Sequence, residues 1–364
     1  MDSRVYEHAE ILVDHCTSIE QGDNVIIRAH PAADDLVIAL HELIGKRGGV
    51  PMTFYTDPRF QRAYLRHSDA DRLELADHGL AAVENTDVYI ALRGGFNLFE
   101  TSDVSPEITT AYGKVQEPIL NTRLEHTRWA LTQHPAPDAA QAAQMSSAAY
   151  AEFVYGAVTK DWDAQREFQQ QLVDRLNDGS QVRIVSGDET DLTMSIKGMI
   201  AINDYGELNL PGGEVFTAPV PDSTTGTVVF DKPLIAHGRE IEDAYLEFKD
   251  GVVVDHAAKQ NEDLLTAVLD TDEGARRLGE LGVGMNRDID RFTYNMLFDE
   301  KMGDTVHLAL GRGYEENVPE GLERNQSAIH LDMIVDMSED SRIEIDGEVV
   351  QRDGRFSFEE GFEG

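Results

Sequence analysis

The spacing of apolar residues divides the chain into two regimes. In the first half, short apolar runs alternate with stretches of helical period. DNVIIRAH (Asp23 to His30) has the length of a buried strand. ADDLVIALHELIGKRGG follows, with Leu36, Leu40, Leu43 and Ile44 at helical spacing and Gly48-Gly49 as a stop. VPMTFYTD reads as a second strand, DVYIALRGG (Asp87 to Gly95) as a third and RWALTQHP (Arg128 to Pro135) as a fourth, with a polar, helix-like stretch over Arg59 to Glu84. Strands alternating with helices predict an α/β domain with a largely parallel sheet.

From Pro137 to Leu176 the pattern turns helical, and Asn177 to Ser180 forms a turn cluster. Beyond it come QVRIVSG, DLTMSIKGMIA, GTVVFDKPLIA, EDAYLEFKDGVVV and RIEIDGEVVQRDGRF, short strand patterns with Gly and Asp turns. Only Asn261 to Leu281 interrupts them with a helical period. The expected organisation is an α/β domain over 1–180 and a mostly antiparallel β (α+β) domain over 181–364.

Composition narrows the class. With 41% hydrophobic residues over 364 positions, the chain can bury two cores. No apolar stretch approaches the 18 residues of a membrane span, and the start MDSRVYEHAEILVDH is acidic where a signal peptide would be basic, so a cytoplasmic protein is expected. The one cysteine, Cys16, excludes an internal disulfide and a multi-cysteine metal site, and its helix-like setting marks it as structural. The formal charge of −37 excludes nucleic acid and anionic membranes as partners. The acids are spread along the whole chain and only eight of 31 basic residues are lysine, a balance resembling proteins adapted to molar salt. An acidic protein of an ordinary cell is the plainer alternative. Against such a background a lone carboxylate carries no signal.

RGGFN and KRGGVP lack the spaced glycines of a phosphate-binding fingerprint. Candidate chemistry lies instead in four segments of the second half. In NLPGGEVFTAPV, Glu214 leaves a tight Pro-Gly-Gly bend ahead of an apolar pair; otherwise it is a solvated turn residue. In EGARRLGELGVGMN, Glu280 is expected at the last turn of a helix, where it would oppose the helix dipole, with surface pairing to Arg276 as the bland account. NMLFDEKMGDTVHLALGRGY supplies Glu300, His307 at a strand start and Tyr314; a structural histidine and a packing tyrosine are the alternatives. In SAIHLDMIVDM, Ile329, Leu331, Met333 and Val335 alternate with His330 and Asp332, which share one strand face about 6.6 Å apart. That face is either wet or gripping an ion. Two histidines and at least four carboxylates without a thiolate suit a pair of divalent ions sharing a carboxylate, with the imidazoles favouring zinc, cobalt or manganese over magnesium.

These segments, in this order, resemble the thermophilic aminopeptidase T and aminopeptidase S family of metallopeptidases. HPAADDLVIALHELIGKRGG and RWALTQHPAPDAAQ extend the resemblance over most of the chain. It implies a dinuclear metal-dependent aminopeptidase acting on peptides with a free N-terminus, assembled as a homodimer. It also implies Glu214 as the first glutamate ligand, Glu280 as the bridging glutamate, Glu300 as a further site glutamate, His307, His330 and Asp332 as ligands, and Tyr314 as a catalytic tyrosine. Seven steps separate Glu300 from His307, more than in some members, so direct coordination by Glu300 stays open. Either Glu214 or Glu300 would take the proton from the attacking water. The rival readings are a two-metal phosphoesterase and a non-catalytic metal- or peptide-binding protein.

Overall fold

Helix Asp34–Arg47 buries Leu36, Leu40, Leu43 and Ile44 and ends at Gly48, whose φ of 82° terminates it without the strain a side chain would bring. The computed structural model, which describes residues 2–236 and 239–363, forms two compact units. The first comprises Met1–Lys160 and Gly206–Pro211, the second Asp161–Tyr205 and Gly212–Gly364.

The first unit carries a five-stranded sheet in the order Val50–Tyr55, Asn24–Ala29, Val88–Arg93, Arg128–Gln133, Asn209–Leu210, parallel throughout. Its inner strands are almost continuously buried, as expected where helices cover a parallel sheet. The polar stretch after Asp57 resolves into helices Pro58–Leu65 and Asp77–Glu84. The expected α/β region with a largely parallel sheet is present.

The second unit is mostly antiparallel, also as expected. An eight-stranded sheet holds Gln181–Ser186, Thr190–Ser195, Thr225–Phe230, Ala244–Lys249, Val252–Ala257 and the C-terminal strands from Ser341 to Phe356. A five-stranded antiparallel sheet runs His330–Asp336, Thr305–Gly311, Leu278–Gly284, Glu214–Thr217, Ile202–Asp204. Val215, Leu281, Val283, Val306, Leu308, Met333 and Val335 join one apolar core with Val182, Ile184, Leu192, Phe230 and Phe248 of the larger sheet. Helix Trp162–Asp178 adds Leu172, Val173 and Leu176 to it.

One expectation is corrected. The helical period over Asn261 to Leu281 yields an α-helix at Glu262–Leu269 and one 3-10 turn at Gly274–Arg276, and Glu280 lies inside strand Leu278–Gly284 instead of a helix end. Leu278 pairs with Leu310 and Glu280 with Ala309, so the strand carries a bulge at this point. The inserted residue puts Leu278 and Leu281 on one side, an i, i+3 spacing that imitates a helix.

Candidate metal centre

Glu214, Glu280, His307, His330 and Asp332 come from four neighbouring strands of the five-stranded sheet. Strand alternation sends the aliphatic residues between them into the core and leaves these side chains on the other face. On one neighbouring strand each of them meets a small residue. Gly284 faces Glu214, Gly282 faces His307, Ala309 lies between Glu280 and Asp332, and Gly311 faces His330. At Gly282 the space is fully used, since a Cβ there would fall 2.0 Å from the Cε1 and Nε2 atoms of His307.

The side chains converge in two groups whose donor atoms lie within 4.8 Å of one another: Glu214, Glu280 and His307, and Glu280, His330 and Asp332. Glu280 belongs to both. Its Oε1 is 3.1 Å from His307 Nε2, and its Oε2 is 3.5 Å from His330 Nε2. Glu214 Oε2 approaches His307 Nε2 at 3.3 Å, and Asp332 Oδ1 lies 3.4 Å from His330 Nε2. His330 Nδ1 is 2.7 Å from the Arg312 carbonyl, to which it donates, leaving Nε2 directed at the carboxylates. Tyr314 stacks at a tilt on His330 with its hydroxyl 3.3 Å from Nε2, and the Phe216 ring braces it from its edge.

Burial and charge oppose each other here. Burial pushes the Glu214 carboxyl up to about 8 against the pull of Lys301, and raises Glu280 against that of His307. Burial would lower both imidazoles, but the surrounding carboxylates push His307 up to about 10 and His330 up to about 9. Asp332, against its burial, is lowered by the hydrogen bond from His330. Tyr314 is raised by burial and by the carboxylate charges. Protons thus occupy a place that cations would contest, as in sites where metal uptake releases protons.

The donor set fits divalent ions. It is made of carboxylates and imidazoles without thiolate, and Oε2 of Glu214 and Oε2 of Glu280 are buried without a hydrogen bond. Glu300 falls in neither group; its carboxylate contacts the ammonium of Lys301. Lys301, fully buried among Asp204, Glu214 and Glu300, escaped the sequence reading because DEKMGD looks like a solvated turn. Gln169 was equally invisible: from helix Trp162–Asp178 its amide donates to the carbonyls of Asp204 and Glu214 at 2.9 and 3.0 Å, fixing the two strands that carry these acids.

The fold and its metal-competent face place the chain among candidate metal-binding proteins, and the chain belongs to the thermophilic metalloprotease (M29) family, whose profile matches residues 1–358. Among similar proteins, aminopeptidase 2 of Geobacillus stearothermophilus is 38% identical over 172 residues, covering 42% of this chain and 40% of that one. Aminopeptidase AmpS of Bacillus subtilis (strain 168) is 35% identical over 217 residues, covering 51% and 52%. The chain thus spans about half or less of the length of these relatives. The structure of wild-type AmpT from Thermus thermophilus superimposes with a TM-score of 0.86 at 25% identity, covering 98% of this chain and 99% of that one.

Proposed function

We propose that the protein is a dinuclear metal-dependent aminopeptidase that hydrolyses the N-terminal peptide bond of peptides. The observation that carries this reading is Glu280, which turns one oxygen to each of two donor groups, as a bridging carboxylate would. Glu214 and His307 would hold one ion, His330 and Asp332 the other, with zinc, cobalt and manganese suited to the mixed imidazole–carboxylate set. Ions bound there supply Lewis acidity and an acidified water. The remaining work falls to the chain. Tyr314, braced between Phe216 and His330, has its hydroxyl directed at the centre to donate to an oxyanion. Glu214 or Glu300 accepts the proton released by the nucleophile.

All of these residues belong to the second compact unit, to which we assign catalysis. Membership of a metalloprotease family and the aminopeptidase names of the relatives support peptides as substrates. A homodimer is supported by the edge strand Val50–Tyr55, where Val50, Met52 and Phe54 expose 59%, 47% and 43% of their surface. Such an apolar edge invites a cover. Adaptation to molar salt is supported by the charge of −37.

Chelation followed by readdition of zinc, cobalt or manganese tests the reading, with metal analysis beside assays on leucine p-nitroanilide and p-nitrophenyl phosphate. Metal-restored cleavage of the anilide is expected. Turnover of the phosphate ester alone would instead identify a phosphoesterase, and metal uptake without turnover a binding protein.

A further inference from the structure

We propose that Lys301 is a positioning residue of the metal centre, holding one oxygen of Glu214 so that this carboxylate meets a cation through its other oxygen alone. The inference rests on the metal-centre reading above. Lys301 is the only buried lysine among the described residues, in a chain that has eight. Its ammonium carries three N–H donors and has three carboxylates around it: Glu214 Oε1 at 3.0 Å, Asp204 Oδ2 at 3.6 Å, and Glu300. These acids lie on separate segments, at the end of strand Ile202–Asp204, at the start of strand Glu214–Thr217, and beside Lys301 itself. The backbone of Lys301 is fixed too. Its amide donates to the Phe298 carbonyl at 3.0 Å, and its own carbonyl accepts from the Asn286 amide at 3.1 Å.

An ammonium taken wholly out of water is costly even when paired, and a methionine would fill the same space without that cost. What the ammonium adds is direction. Glu214 Oε1 is engaged by Lys301 while Oε2 points toward His307 in the group shared with Glu280. Released from Lys301, the carboxylate would turn about its last bond and offer both oxygens to one ion. Lys301 also neutralises Asp204 and Glu300, acids outside both donor groups, so that they need not draw a cation themselves.

The test uses full-length protein reloaded with cobalt(II). In a crystal structure of the loaded wild type, Glu214 is expected to contact the ion through one oxygen and to keep the other on Lys301 Nζ. A Glu214 bound through both oxygens, or a Lys301 turned away, overturns the inference. In Lys301→Met, cobalt affinity should weaken about ten- to a hundredfold, the range for groups that orient a ligand from outside. The visible cobalt bands should lose intensity as the coordination number rises, and kcat on leucine p-nitroanilide should fall with KM little changed. A variant with wild-type spectrum and affinity, altered only in thermal stability, also overturns the proposal. Should Lys301→Met fail to fold, the wild-type structure decides. Protein that takes up no cobalt defeats the metal-centre reading itself, a result distinct from two bound ions with Glu214 wrongly held.

Discussion

Glu280 offers a separate oxygen to each imidazole, so one substitution reaches both halves of the site. Glu280→Gln keeps the size and removes the charge. The expected result is a folded protein with metal affinity reduced more than about a hundredfold, beyond the range for groups one shell further out, and no measurable peptidase activity. Metal analysis after dialysis and the anilide assay check it; near-normal turnover would refute the bridging role. His330 and Asp332 were visible in the sequence, because two polar residues alternating with aliphatics can only share a strand face. Glu214 and Glu280 were not distinguishable on their own from the other acids of so acidic a chain, and took their meaning from ordered motifs. Lys301 and Gln169 left no local signal, since their partners lie far off in sequence and a lone Lys or Gln promises nothing.

Within the five-stranded sheet, each functional side chain has a Gly or Ala opposite it on one neighbouring strand. Gly282→Ala would set a methyl carbon 2.0 Å from the His307 ring, which must then leave its place. Overpacking of this kind costs about 1–3 kcal/mol. The variant is expected to melt lower and to bind less cobalt, with Gly282→Ala unchanged in both respects as the contrary outcome. Strand Leu278–Gly284 shows why one element was misread. A bulge gives its leucines helical spacing, and the glycines, Gly282 making room for His307 among them, remove the β-branched residues by which a strand is usually known. Helix Pro106–His126 went unread although Ile108, Ala111, Tyr112 and Val115 form a stripe packed on Leu65, Leu73 and Val104; its stripe is only partly buried, and Pro118 within it reads as a break in sequence. Helix Asp34–Arg47 was plain because its period, buried stripe and glycine stop all agree.

Across the whole molecule, charge sets the conditions for folding. With a net charge of −37, repulsion is screened over about 3 Å in molar salt but over about 10 Å at 0.1 M. Circular dichroism at decreasing salt should therefore show loss of structure, and equal stability at 0.1 M and 3 M would refute the proposed adaptation to molar salt. Acid acts through a different group. His8 is fully buried, with Nε2 2.8 Å from the Thr132 hydroxyl, and burial together with the His134 charge pushes its imidazole down to about 3. Below an unfolded value of 6.5 the unfolded chain takes the proton and the folded one does not. Its contribution is thus complete above pH 6.5 and is lost as pH falls toward 3, by up to about 1.4 kcal/mol per pH unit. Denaturant melts in 3 M salt at pH 7 and pH 5 should show a smaller loss in His8→Gln than in the wild type. Along the strands at Glu214, Glu280, His307 and His330, the residues that grip and the residues that fill the core take turns. On the proposed function, melting of this sheet and heat-driven loss of its bound cations should therefore arrive at one temperature, which cobalt release followed through a thermal melt would check.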